Sequence, residues 1–322
     1  MPISSFADYL PTIDDFLAHW ALVDALEVLT VPVDNLGVSQ SDLSNLRSQL
    51  DAQKSLVEIH LNTLEISRIT ANQVREVATA RLSEFNRRIR AQFPNSPHFS
   101  KLPAVPAPTS GRDAFLTAMD DAKDLWTRVN AMVPSASFTA PLLLQGGFTL
   151  AAFTANRAAL DSAFSARATA GTQLNTTRTD RDLLQQNALR ILSGYRAMVT
   201  ALYPAASSFV LTLPRLYPLP GHTPDPVEAS GHWVPAATQA EITWHPSAEP
   251  DLKDYQLRAV PGLEYTADDA TTLHTFPPAA PRTFLTGAGF AIPGAAMTYK
   301  LFVRLQTGNE VGSAALTVTR PT

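Results

Sequence analysis

The chain has 322 residues, of which 45% are hydrophobic and 17% charged, with 25 Pro and no Cys. That length suits two or three domains, each large enough for its own core, and the apolar fraction excludes wholesale disorder. The missing Cys excludes disulfides, thiolate metal sites and Cys nucleophiles, and the net charge of −4 gives no basic surface for nucleic acid. Residues 225–322 hold 6 Lys+Arg against 10 Asp+Glu, which supplies the whole imbalance.

The first residues carry Asp8, Asp14 and Asp15 without Lys or Arg, unlike a secretory signal peptide, and no window is apolar for long enough to span a membrane. The expected compartment is therefore the cytoplasm, or a destination reached without the general secretory route. Thr12-Ile13-Asp14-Asp15 reads as a helix start, followed by Phe16, Leu17, Trp20, Val23, Leu26 and Leu29 at helical spacing.

Proline lacks the N–H that a helix interior needs. No Pro lies between Pro32 and Pro94, or between Pro141 and Pro204, so each stretch has room for one very long helix. In the first, Ser41-Asp42 is a capping signal, and Leu43, Leu46, Leu50, Val57, Leu61, Leu64, Ala71, Ala78, Leu82, Phe85 and Ile89 mark one face. A second stripe runs through Ile59, Ile66, Ile69 and Val77, which implies more than one packing neighbour. About 50 residues would make a rod of roughly 75 Å. Arg81, Arg87, Arg88 and Arg90 complement the dipole at its end.

Ser110 to Val133 is a second short helix, with Phe115, Met119, Leu125, Trp126, Val129 and Val133 on its apolar face. The second long stretch carries Leu150, Phe153, Leu160, Phe164, Leu174, Leu183, Leu184, Leu189, Leu192, Tyr195, Val199 and Leu202. Its Thr-rich middle, Thr172 to Asp182 beside Gly171, predicts a kink or a loosely packed waist.

Short, long, short, long suggests a duplication. At an offset of 110, residues 43–99 align with 153–209 without a gap, including Arg47, Leu50 and Asp51 with Arg157, Leu160 and Asp161, and Pro94 and Phe99 with Pro204 and Phe209. Helical periodicity alone does not explain the last two matches. The expectation is a helical bundle over residues 1–221 made of two similar halves, about 1–109 and 110–221. Pro-rich segments at 93–111 and 204–226 would be stiff and extended.

After about Asp225 the period shortens to two. Ala240 to Trp244, Tyr255 to Val260, Thr298 to Gln306 and Ala314 to Thr319 alternate as strands, separated by Pro, Gly and Asp. Trp244, Pro250-Asp251-Leu252 before Tyr255, Tyr299-x3-Val303 and Gly312-Ser313 together resemble the fibronectin type III family. The resemblance implies an all-β immunoglobulin-like sandwich over 225–322, with Tyr299 as a corner tyrosine whose hydroxyl ties back to the chain. The fold class is thus an all-α duplicated bundle followed by an all-β module.

No catalytic constellation stands out. The seven histidines (His19, His60, His98, His222, His232, His245, His274) include no helical zinc-hydrolase spacing, and no metal or cofactor is expected. Asp14-Asp15, Asp120-Asp121 and Asp268-Asp269 read as helix-start or turn residues, and Gly287-Ala288-Gly289 as a loop between strands. There is no Walker or nucleophile-elbow pattern. The expected function is a non-enzymatic structural or interaction protein that associates with copies of itself, with the β module as a contact element. Trp233 and the turn Gly308-Asn309-Glu310 are the candidate contact residues. The rival readings are a carbohydrate- or peptide-binding accessory or adhesion protein using those same residues, and an enzyme with a site between helices.

Overall fold

A computed structural model describes residue 3 and residues 8–26, 37–93, 101–133 and 138–321. It has a helical N-terminal part, α1 (Tyr9–Leu26), α2 (Gln40–Gln92), α3 (Arg112–Asn130), α4 (Leu150–Leu202) and the single turn α5 (Ser208–Leu211). A C-terminal antiparallel β region follows. Leu29, Pro94, Pro97 and Phe99 fall outside the described residues.

The two proline-free stretches each form one helix of 53 residues, and their starts are offset by the 110 residues of the sequence alignment. α4 is helical throughout, Gly171 and the Thr-rich middle included, so the predicted kink is absent. Thr172, Thr177 and Thr179 turn their hydroxyls back to the carbonyls four residues earlier, which satisfies them within the helix. The cap of α2 lies two residues before the expected one: Ser39 and Asp42 bond reciprocally, Ser39 N–H to the Asp42 carboxylate at 2.7 Å and Asp42 N–H to Ser39 Oγ at 3.3 Å. These bonds, the Ser39 hydroxyl first, hold the Asp42 carboxyl below its ordinary value. α1 begins three residues ahead of Thr12, with Pro11 tolerated in the first turn, where no N–H is required.

The chain divides into two compact units, residues 1–65 with 173–322 and residues 66–172. In the first, α1 buries Tyr9, Ile13, Phe16, Trp20 and Val23 against Leu43, Leu46 and Leu50 of α2 and Ala188, Leu192, Tyr195 and Val199 of α4. In the second, α3 buries Phe115, Met119, Ala122, Trp126 and Val129 against Ala78, Leu82, Phe85 and Ile89 of α2 and Phe153 and Leu160 of α4. Both clusters follow one recipe: a short helix covers the start of one long helix and the end of the other. Arg47 reaches Asp14 of α1 at 2.9 Å and Asp51 at 3.7 Å. Its alignment partner Arg157 reaches Asp120 of α3 at 2.9 Å and Asp161 at 3.3 Å. Leu183, expected in the core stripe, is exposed, as are Ile59, Ile66 and Val77 of the second α2 stripe, whereas Ile69 is buried.

The β region has two antiparallel sheets. β1 (Ala229–Val234), β2 (Gln239–Trp244) and β5 (Thr283–Thr286) form one in the order β1-β2-β5. β4 (Thr271–Phe276), β3 (Leu252–Pro261), β6 (Ala296–Leu305) and β7 (Glu310–Gly312) form the other, with β8 (Leu316–Thr319) also on β6. The inner faces meet through Ala240, Ile242 and Trp244 on one side and Tyr255, Leu257, Ala259, Leu301 and Val303 on the other, all buried. Trp244 lies 4.9 Å from the Phe276 ring across that core.

The expected corner tyrosine is a correction. The Tyr299 hydroxyl is buried with no hydrogen-bond partner among the described residues. The tie is made instead by Tyr255, whose hydroxyl accepts the Ser247 N–H at 2.7 Å.

Within the first unit the sheets also pack on the helices. Val260 and Ala270 join Val57 and Leu61 of α2 and Leu174 of α4 in one apolar cluster. Beside it Asp269, wholly buried, receives Arg181 Nη1 at 2.8 Å and Arg178 through both Nε and Nη2. Arg181 also donates to the Asp268 carbonyl at 2.8 Å. Glu65 of α2 accepts the Ala296 N–H that opens β6. The Thr-rich middle of α4, polar in sequence, is thus where the sheets dock.

Candidate functional site

Each candidate contact residue of the β region has an internal partner. Trp233, on β1, is half-buried, with Phe290 edge-on at 5.1 Å and the Arg320 guanidinium 5.9 Å from its ring. Gly308 takes φ +91°, which the turn needs and a side chain would strain. Asn309 Nδ2 donates to the Leu219 carbonyl at 3.1 Å and to Thr307 Oγ1 at 3.0 Å, while Leu219 N–H donates to the Thr307 carbonyl. The turn therefore holds the segment that leaves the helices. Glu310 receives a bidentate pair from the buried Arg258 at 2.8 and 2.7 Å, and that guanidinium also covers the Phe302 ring at 4.1 Å. Gly308, Asn309 and Glu310 are neighbours in space, and each is spent on holding the chain together.

Other polar groups converge. His19 of α1 sits between the Tyr195 hydroxyl at 2.8 Å and the Phe209 carbonyl at 2.9 Å. Its neutral ring serves both, donating from Nε2 and accepting at Nδ1, and burial lowers its pKa accordingly. An open cleft of about 570 Å³ beside it is lined by Asp15, Leu22, Thr212, Pro214 and Arg215.

A second convergence lies where the helical part gives way to strands. His222, Glu249 and Asp251 place their ligating atoms within 4.8 Å of one another. His222 Nε2 stands 2.8 Å from Glu249 Oε2, and Asp225 N–H donates to Glu249 Oε1 at 3.0 Å. Their shared hydrogen bond lowers the Glu249 pKa and raises that of His222. Sequence reading counted His222 among the histidines and Asp251 within Pro250-Asp251-Leu252, and did not single out Glu249. Only Glu249 and Asp251 are near in the chain, and no known spacing motif joins them to a histidine 27 residues earlier.

The outer face of α2 is of a different kind. Leu56, Ile59, Ile66 and Val77 are exposed at 43, 56, 50 and 47%. With exposed Thr63, Thr70 and Gln73 they step by three and four residues, a seam without a charge. At the positions aligned with them α4 carries Ala166, Thr169, Gln173, Thr176, Asp180, Leu183 and Asn187, which make no such seam.

No family model matches the chain, and no curated protein matches it. Among solved structures, a Fn3-like protein from Clostridium thermocellum is similar over 31% of this chain and 97% of its own, with 16% identity and a TM-score of 0.24. Pectate lyase PelI from Erwinia chrysanthemi, solved in complex with tetragalacturonic acid, is similar over 28% of each chain, with 17% identity and a TM-score of 0.23. A pectate lyase from Pectobacterium carotovorum gives 10% identity over 28% of this chain and 26% of its own, with a TM-score of 0.23. The match thus spans about a quarter of each lyase, and at such scores none of these likenesses carries an argument. No helix among the described residues is long and apolar enough to cross a membrane.

Proposed function

We propose that this protein is a non-enzymatic structural or interaction protein that associates with copies of itself along the outer face of α2. The observation that carries the reading is the seam Leu56, Ile59, Thr63, Ile66, Thr70, Gln73, Val77, which repeats in the manner of a coiled-coil a/d stripe. A stripe of this spacing matches the one that a helix of the same spacing covers in a coiled coil. A second copy supplies that helix in an isologous pair, because the same uncharged residues then face each other about a twofold axis. Burying four large aliphatic side chains per copy recovers about 1.5–3 kcal/mol each at full burial, and less here because each is already half-covered.

The β region fits the same reading as a fibronectin type III-type sandwich that stiffens the helical part. Its strand order, β1-β2-β5 facing β4-β3-β6 with β7 and β8 as a split edge strand, supports that type. The Asp269 and Glu65 contacts favour a bracing role over that of a free-swinging module.

Sedimentation velocity over a hundredfold concentration range tests the proposal. The wild-type chain is expected to shift from monomer to dimer or larger species, and Ile59→Asp with Ile66→Asp to remain monomeric with unchanged helicity. A wild-type chain that is monomeric throughout, or an aspartate pair that associates equally well, overturns it.

A further inference from the structure

We infer that His222, Glu249 and Asp251 form a divalent transition-metal site, with Zn²⁺ the favoured ion, that fastens the segment after the helices to the β2–β3 loop. The three ligating atoms come from two separate parts of the chain, His222 from one and Glu249 and Asp251 from the other, and already lie within 4.8 Å. An ion bonded at about 2.0–2.2 Å to each would hold them about 3.4 Å apart in a tetrahedral set, so modest side-chain rotations close the site.

The surroundings are braced as a metal site needs. Glu249 is positioned by the Asp225 N–H on its carboxylate and by Ser247 Oγ on its own N–H at 3.2 Å. The Asp251 carbonyl accepts the Gln306 N–H at 2.9 Å. A salt bridge between His222 and Glu249 accounts for those two groups alone. It leaves Asp251, a half-buried residue whose Oδ1 atom is buried and has no hydrogen-bond partner among the described residues. A buried carboxylate oxygen without a partner is costly, and a cation bonded to it removes that cost.

The donor set selects the ion. One imidazole nitrogen with two carboxylates suits Zn²⁺ and its neighbours, whereas Ca²⁺ gathers six to eight oxygens and Mg²⁺ keeps most of its water. The His222 side chain is 57% exposed, so the fourth position is open to water.

The test is calorimetric titration of the full chain, stripped with a chelator, with ZnCl₂, CaCl₂ and MgCl₂ in turn. One Zn²⁺ per chain is expected, with at least tenfold weaker binding in His222→Gln and in Asp251→Asn and no change in the control His245→Gln. His222 is exposed, so its substitution leaves the fold intact, which circular dichroism verifies. Thermal unfolding of the stripped wild-type chain should shift upward with Zn²⁺, and that shift should vanish in His222→Gln. No Zn²⁺ binding, binding that both site variants retain, or tighter binding of Ca²⁺ than of Zn²⁺ overturns the assignment. None of these outcomes bears on self-association, which is read separately.

Discussion

The cluster around α1 and the cluster around α3 share a plan and differ in chemistry. Aligned at an offset of 106, the short helices pair Tyr9 with Phe115, Ile13 with Met119, Phe16 with Ala122, Trp20 with Trp126 and Val23 with Val129, every residue buried. Each tryptophan stacks on an aromatic ring at the end of a long helix, Trp20 on Tyr195 at 4.6 Å and Trp126 on Phe85 at 5.3 Å. Bulk moves between helices: one cluster has Phe16 with Leu43, the other Ala122 with Phe153. Polarity moves as a pair, since His19 and Tyr195 in the first become Leu125 and Phe85 in the second. The lesson is that the plan tolerates a change of volume or polarity when its neighbour changes with it. The polar pair is kept where the Phe209 carbonyl needs a donor.

The units differ most in that the first also carries the β sheets, and the largest effect is expected there. Asp269→Ala removes the buried carboxylate that Arg178 and Arg181 share, leaving Arg181, 4% exposed, with Asp182 and the Asp268 carbonyl. Removing one member of a buried ion pair costs about 3–5 kcal/mol, which is an upper bound here. Urea unfolding should record a loss of up to that size for Asp269→Ala. Asp113→Ala in the second unit, where the carboxylate is 93% exposed, should fall within a few tenths of a kcal/mol of wild type. Equal losses would remove Asp269 as the pin between sheets and helices.

The same comparison marks what sequence reasoning could reach. The long helices were legible because a missing proline is a local fact, and their equal lengths agree with the gapless alignment at 110. β2, β3 and β6 were legible through alternation, strict in Ala240, Ile242 and Trp244 and broken in β3 by Val260 and in β6 by Phe302. β4 was not, because Thr271–Phe276 buries only its last residue and shows no alternation. β1 was hidden by Gly231, which a strand interior normally avoids. A Cβ there would come within 2.6 Å of Leu316 Cδ1 and 2.8 Å of Ile242 Cδ1, so those side chains would have to shift to admit one. Asp268-Asp269 read as a turn because its arginines lie 88 and 91 residues away, and no local pattern encodes such a pairing. Ile59, Ile66 and Val77 of the exposed α2 seam were visible in the second stripe, beside Ile69, which is buried, but periodicity does not say whether the covering partner lies in the same chain.

A double-mutant cycle sharpens the paired exchange. His19→Leu removes the donor to the Phe209 carbonyl and strands the Tyr195 hydroxyl, and a stranded buried group costs about 1–3 kcal/mol. Tyr195→Phe alone strands the Nδ1 acceptor and should cost less, about 1 kcal/mol. The double variant recreates the Leu125 and Phe85 chemistry of the other cluster. Its loss should therefore be smaller than the two single losses added together. Strict additivity would mean that the histidine and the tyrosine act independently.

The smallest effect is the dependence on pH. Burial lowers the His19 pKa below 6.5, so the unfolded chain takes up the proton first as pH falls. Stability from this group is therefore complete above about pH 6.5. It declines as the solution is acidified toward the lowered folded value. Asp15 and Arg215 line the adjacent cleft with opposite charges and do not share the ring's two hydrogen bonds. Wild-type urea midpoints should fall between pH 7 and pH 5 more steeply than those of His19→Leu. The α3 cluster has Leu125 in the equivalent place and supplies no such titration. If the two proteins lose stability in parallel, the folded and unfolded chains bind the His19 proton equally, and burial between Tyr195 and Phe209 does not favour the neutral ring.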